Sequence, residues 1–297
     1  MKKAFLQLHI AVFLAGFTGI LGKLITLNEG LLVWYRLLIT SVTMWVLFHF
    51  TGKLRKVSRI DILKLTGVGF LSAMHWVTFY GSIKEANVSV ALVCFSSVGF
   101  FTALFEPLIL RKKINWTELL LGLLVIAGIY IIFQFDPKYR TGILLGISCA
   151  VLLAISMIWF KIFVGKLGSE PTLTYQLSGA LVSLTLVMPI YLYQFPTNYI
   201  IPDFNDWMWL LGLSWVCSVL AFQLTGLAIK KLSAFTVNLT FNLEPVYGII
   251  LAFVVFKENE LLSKWFFVGF AIIAVSLVIH IIMLLKTEKK LIQHERD

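Results

Sequence analysis

Fifteen acidic residues occur in this 297-residue chain, and only Glu106 and Glu244 lie within long apolar stretches. A carboxyl so placed is costly and usually faces a protein interior, a partner group or water. Glu244 stands about nine residues, roughly 13 Å of helix, into its apolar run. There it could exchange a proton as a solute binds and leaves, because desolvation disfavours the charged form. A structural carboxyl bonded to a neighbouring helix beside Pro245 is an equal alternative. Glu106 lies within about a turn of Arg111 and Lys112, the spacing of an ordinary ion pair. Arg36 is the basic residue well inside an apolar run, and its planar guanidinium suits a carboxylate or a solute's anionic group. A structural or gating pair is favoured for Arg36, which is near enough to the boundary to reach water. These three are the candidates for coupling or gating.

A second set could hold a small molecule. Ser72, His75, Trp76, Phe79 and Tyr80 share one face at helical spacing. Trp76 would offer an aromatic wall, and His75 and Tyr80 would offer hydrogen bonds. Ser96, Ser97, Trp159 and Gln223 extend the candidate lining, although serines in helices often bond back to their own backbone. Asn238 and Asn242 are four apart on the face of Pro245, while Glu244 points about 120° away. Pro245 lacks an amide proton and would free the Phe241 carbonyl one turn earlier. Neither cofactor nor metal is expected: no nucleotide-binding glycine loop occurs, and the five histidines are scattered without zinc-ligand spacing. Cys94, Cys149 and Cys217 sit singly in apolar runs and read as small buried hydrophobes.

The elements that must carry these residues follow from composition. With 59% hydrophobic and 13% charged residues, and a mean hydropathy of +0.91, the chain has too little polar surface for a soluble domain. Apolar runs bounded by charge, Pro or Gly predict ten spans, over 4–27, 31–50, 62–83, 88–110, 117–135, 141–163, 172–194, 207–228, 235–256 and 265–285. The first run is too long for a signal peptide and is read as a retained span. The net charge of +10 is distributed in short clusters between spans, which speaks for membrane topology and against nucleic acid. Clusters at Lys2–Lys3, 51–64, Arg111–Lys113, Lys161 with Lys166, Lys230–Lys231 and the tail alternate with connections holding only Lys23, Lys84, Lys138, Arg140, Lys257 and Lys264. The bias predicts that both termini are cytoplasmic, and that the Pro- and Asp-containing 195–206 connection lies outside.

An internal repeat organises the spans. Sliding the chain by 147 positions lays 86–132 on 233–279 and matches Val90 to Val237, Gly122 to Gly269 and Ala127 to Ala274. Small-residue stripes recur in the first helix of each half, at Ala11, Ala15 and Gly19 and at Gly142, Gly146, Ala150 and Ala154. Five spans per half is odd, so the second copy must enter the membrane from the opposite side. The expected fold is an all-α integral membrane protein, its ten transmembrane helices forming two inverted five-helix repeats over 1–136 and 137–297. Inverted repeats recur in secondary transporters, with the site near mid-membrane between the halves.

The chain resembles the EamA type of the drug/metabolite transporter superfamily over nearly its whole length. The resemblance rests on the five-plus-five spans, Trp34-Tyr35-Arg36, the 86–114 run ending in Pro107 and a basic turn, and Asn242-Leu243-Glu244-Pro245-Val246 followed by Lys257-Glu258-Asn259-Glu260. In the 147 offset the Glu106-Pro107 and Glu244-Pro245 pairs do not superpose, so they are not one repeated motif. The resemblance implies a bacterial inner-membrane carrier that moves small organic metabolites such as amino acids, or drugs, often outward. It further implies a central cavity lined by spans 1, 3, 4, 6, 8 and 9. Expected partners are a small organic solute, the lipid bilayer and a coupling proton, in a monomer or homodimer. An enzyme acting on lipid-linked substrates would need more converging acids, bases or ligands than two carboxylates on distant spans. A non-transporting interaction protein would not need the polar faces around His75 and Asn242.

Overall fold

A computed structural model of the chain describes residues 2–229, 231–232 and 234–294, with the side chains of 229, 234, 235, 238, 239 and 284–294 left out. The described residues form helices and short connections. Lipid offers no partner for backbone polar groups, so an apolar run that crosses it must satisfy its N–H and C=O groups within the run. The elements are α1 (Lys2–Leu24), α2 (Glu29–Phe50), α3 (Arg59–Glu85), α4 (Val88–Phe95), α5 (Val98–Leu110), α6 (Trp116–Phe135), α7 (Arg140–Leu167), α8 (Ser169–Gln194) and α9 (Phe204–Leu211). A π-helical stretch (Gly212–Leu220) follows, then α10 (Ala221–Ile229), α11 (Ala234–Phe241), α12 (Glu244–Phe256), α13 (Glu258–Leu261) and α14 (Lys264–His294). Short polar side chains start several of them: Asn28, Ser58, Asn87 and Asp203 each accept a bond from the amide three residues on.

Among the described residues, nine stretches are long and apolar enough to cross a membrane, counting α4–α5 and the α9-to-α10 run as one each. The tenth expected span is present in pieces, and its apolar part, α12, is 13 residues long. This differs from the unbroken spans expected over 88–110 and 235–256. Both are interrupted after an eight-residue helix, at 96–97 and at 242–243, and both resume for 13 residues. Both second pieces end on a left-handed residue, Arg111 at φ 53° and Lys257 at φ 52°. Val88 to Ala234 and Arg111 to Lys257 are each 146 residues apart, whereas the caps Asn115 and Ser263 are 148 apart. The short α13 accounts for the two extra residues, and an ungapped offset of 147 splits the difference.

Packing follows the small residues. α3 lies between α7 and α8, α14 runs along α6, and α1 lies against α12, α10 and the π stretch. Both small-residue stripes meet the α3–α4 corner. A Cβ at Gly19 would stand 3.0 Å from Val88, and one at Gly146 would stand 2.6 Å from the Cβ of Cys94. α6 and α14 cross where Gly128 and Gly269 face each other's carbonyl oxygens. The two ends of the bundle differ. α4 buries every residue from Val88 to Cys94 and packs on α12, whereas α5 buries only Ala103 and leans on α6 and α7.

Two glycines on α3 separate packing from helix propensity. A Cβ at Gly69 would stand 2.4 Å from the Gln176 carbonyl oxygen, while one at Gly67 meets nothing within 4 Å. Gly69→Ala is expected to destabilise the protein by about 1–3 kcal/mol through overpacking. Gly67→Ala should be neutral or stabilising by up to about 1 kcal/mol. Thermal unfolding of the two variants in detergent checks the contrast.

Candidate functional site

The two interruptions place irregular backbone midway along the bundle. Glu244 is the first residue of α12, and Pro245 occupies the second position, where a missing amide proton removes no intrahelical bond. The expected opening of the Phe241 carbonyl by Pro245 inside a continuous helix therefore takes another form. Phe241 is the last residue of α11, so its carbonyl belongs to a helix end. α1 passes close to this point: a Cβ at Gly16 would stand 2.9 Å from the Glu244 carbonyl oxygen and 3.0 Å from the Gly248 nitrogen. The Glu244 side chain is half-buried, has no hydrogen-bond or ion-pair partner among the described residues, and lies within electrostatic reach of Arg36. Thr240 Oγ1 bonds back to the Thr236 carbonyl, and Asn242 is half-buried. The side chain of Asn238 lies outside the described residues.

Arg36 is 5% exposed and is held by neutral groups. Its Nη1 donates to the Tyr80 hydroxyl at 2.7 Å, and its Nε and Nη2 donate to Ser218 Oγ at 3.3 and 3.0 Å. The guanidinium lies 4.5 Å from the ring centroid of Trp76. On the same turn, Ser214 Oγ donates to the Arg36 carbonyl oxygen at 3.4 Å, and Ser218 Oγ donates to the Leu213 carbonyl at 3.0 Å. Arg36 thus fastens α2 to the π-helical stretch at two points, with side chain and backbone. Among the described residues no carboxylate lies within 4 Å of it. π-Helical turns are rare and frequently accompany functional sites. Ser214 and Ser218 had no distinguishing sequence signal, since serines are common in membrane helices.

The α3 face is divided in the structure. Trp76 and Tyr80 turn to Arg36, whereas His75 turns to α7, its Nδ1 3.1 Å from both the carbonyl oxygen and the sulfur of Cys149. The His75 ring also stacks on Phe79 and sits beside Phe95, the last residue of α4 before the interruption. Ser72 accepts a bond from Gln176 on α8 at 2.7 Å. Ser96 and Ser97 bond back to the carbonyls of Leu92 and Cys94. Trp159 and Gln223 stand on exposed faces of α7 and α10, and neither makes a hydrogen bond or ring contact with this centre among the described residues. Glu106 is remote from it, bound to Lys112 at 3.1 Å and Lys161 at 3.4 Å rather than to Arg111.

Carboxylates expected only in connections turn out to be deeply buried. Glu258, 0% exposed, accepts from Lys23 Nζ at 2.8 Å, the Val88 amide at 3.1 Å, and the Ser89 amide and hydroxyl at 2.8 and 2.6 Å. Asp206 accepts from the Thr26 amide and hydroxyl, both at 2.9 Å, and from the Leu27 amide at 3.2 Å. Both sit at the end of the bundle where α1 finishes. At the other end Asp61 holds Lys166 at 2.7 Å.

With this geometry in hand, the sequence profile of the EamA-like transporter family matches residues 2–134 and again 140–280. The chain belongs to that family. It is similar to an uncharacterized transporter of Haemophilus influenzae, with 22% identity over 241 residues, 75% of this chain and 74% of that one. An uncharacterized transporter of Synechocystis is 25% identical over 249 residues, 80% of this chain and 70% of its relative. One solved crystal structure shares the fold, with a TM-score of 0.64 at 16% identity over 97% of this chain and 99% of that chain. The EamA match, with the apolar helices that carry it, makes this protein a multi-pass membrane transporter.

The neutral cradle of Arg36 can be tested directly. Tyr80→Phe removes the 2.7 Å acceptor and leaves a buried guanidinium under-satisfied. A loss of about 1.5–3 kcal/mol in unfolding free energy is expected. Trp34→Phe, whose indole bond to Thr185 is exposed, should lose less than about 1 kcal/mol in the same thermal unfolding assay.

Proposed function

We propose that this EamA-family protein is a secondary carrier for small organic solutes, working by alternating access around the two helix interruptions, with metabolite export as its direction. The observation that carries the reading is the pair of interruptions 146 residues apart, one of them beside Glu244, whose carboxyl has no partner among the described residues. Discontinuous helices in corresponding positions of two halves mark the substrate and coupling-ion sites of transporters, because irregular backbone survives at membrane depth only where protein or water lines it.

The halves are divided at 1–136 and 137–297 and enter the membrane with opposite polarity. Contact reciprocity supports this arrangement: α1 against the π stretch and α10 parallels α7 against α3, and α1 against α12 parallels α7 against α5. α2 with α8, and α6 with α14, then pair across the same axis. The basic end, where α1 begins, faces the cytoplasm of a bacterial inner membrane, following the bias of Lys and Arg. In this reading the structure is inward-open. α4 packs against α12 on the outer side, whereas among the described residues α5 and α11 are not closely packed on the inner side.

Solute contacts are assigned to Trp76, Asn242 and the backbone at 96–97 and 242–243, with Ser96, Ser97 and His75 framing them. Tyr80 is assigned to holding Arg36. Trp159, Gln223 and Asn238 complete the lining proposed for the inward crevice. Glu244 is the proton-coupling residue and Arg36 the brace whose charge acts on it, while Glu106 is a surface ion pair on the inner side.

Proteoliposome flux with and without a pH gradient tests this assignment. Glu244→Gln is expected to abolish gradient-driven uptake, by about tenfold or more, while leaving solute exchange measurable. Unchanged flux and unchanged pH dependence in Glu244→Gln would remove the residue from coupling. Trp76→Ala should raise the solute KM by about tenfold through loss of binding surface; normal transport by Trp76→Ala would reduce that face to packing.

A further inference from the structure

Glu258, like Asp206, takes four hydrogen bonds, and all the donors to Glu258 lie in the other half. Its two oxygens take four hydrogen bonds, from Lys23 at the end of α1 and from the first two residues of α4. The Lys23 ammonium also lies 4.3 Å from the ring centroid of Phe256, the last residue of α12. The first amides of a helix have no intrahelical acceptor and favour a negative charge. Here Asn87 takes the Val90 amide and Glu258 takes those of Val88 and Ser89, so the first turn of α4 is satisfied from α13. Any motion that parts α12–α13 from α1 and α4 at this end must break all four bonds and strand a buried carboxylate.

The corresponding place in the first half is occupied differently. Arg111 and Lys257 are the paired left-handed residues, 146 apart, so Lys112 stands where Glu258 stands. Lys112 binds Glu106, six residues earlier in its own half. An ammonium is also the wrong charge for a helix N-terminus. α4 and α12 accordingly pack together at one end, while among the described residues α5 is not a close neighbour of α11 at the other.

We propose that Glu258 is the latch of the gate at the end where α1 finishes, engaged in this structure, and that Lys112 leaves the opposite gate without an equivalent latch among the described residues. The resting carrier is therefore biased toward the state closed at the Glu258 end. This inference rests on the alternating-access reading, since it presupposes that this end opens.

Pulsed electron-spin distance measurements on the full chain in lipid nanodiscs test it. One spin-label pair at Glu85 and Asn259 reads the latched end, and a second at Lys113 and Lys231 reads the other; all four positions are exposed, whereas the three native cysteines are buried. The parent should show one short distance at the latched end. Glu258→Gln should raise the long-distance fraction there relative to the short one by about tenfold or more, with shortening at the other end. Lys112→Glu, which puts a carboxylate at the corresponding place in the other gate, should shift both ends the same way as Glu258→Gln. Unchanged distributions at both ends in Glu258→Gln overturn the latch. If that variant does not fold, Lys23→Met removes one donor and leaves the cap on α4; it should give a smaller shift in the same direction, and no shift overturns the proposal. Flux distinguishes the two readings: distances that respond in a chain carrying no solute would defeat the transport reading and leave the latch standing.

Discussion

Every feature of this protein answers to one constraint, that a backbone amide or carbonyl inside a bilayer must find a partner in the protein or in enclosed water. The constraint turns apolar runs into helices and makes the interruptions at 96–97 and 242–243 the most informative positions in the chain. Each interruption exposes a helix end at mid-depth, where lipid cannot satisfy it. The surrounding structure responds with close approach: Gly16 on Glu244 and Gly248, and Gly146 on Cys94. Polar groups are drawn to the same level, among them His75 on Cys149 and Arg36 on Tyr80 and Ser218.

The same constraint explains why the bundle's ends are built from carboxylates. Asp206 and Glu258 are fully or almost fully buried, and both are spent on backbone amides across the half boundary. A buried charge is tolerable only when hydrogen bonds saturate it. Saturation makes each contact close to all-or-none, which suits a part that is either shut or open. By contrast, Asp61 and Glu106 bind exposed lysines that water can replace, and such pairs contribute little.

Much of the fold was legible in the sequence because hydropathy and length act locally. The ten expected spans lie within the observed helical stretches to within a few residues, and the small-residue stripes face the contacts they suggested. The repeat was visible, but its offset was blurred, because a two-residue difference at α13 leaves 146 on one side and 148 on the other. The interruptions were not legible. Ser96-Ser97 and Asn242-Leu243 contain no Gly or Pro, and Pro245 suggested a freed Phe241 carbonyl within a continuous helix rather than a helix end at Phe241 and a restart at Glu244. The candidate site was read one helix at a time, so partners on other helices were missed: Ser218 for Arg36, Cys149 for His75, and α4 for Glu258. Trp159 and Gln223 were picked by residue type alone, and both stand exposed on their helices.

The central claim is that the two interruptions meet water from each side of the membrane in turn. Thiol accessibility measures this most directly, with Ser96→Cys and Asn242→Cys reacted in sealed, oriented vesicles with a membrane-impermeant maleimide applied to one face at a time. The account predicts that both positions react from both faces, faster from the face where α1 begins, and that a transported solute slows them together. Reaction from a single face only, or from neither, at both positions would contradict it.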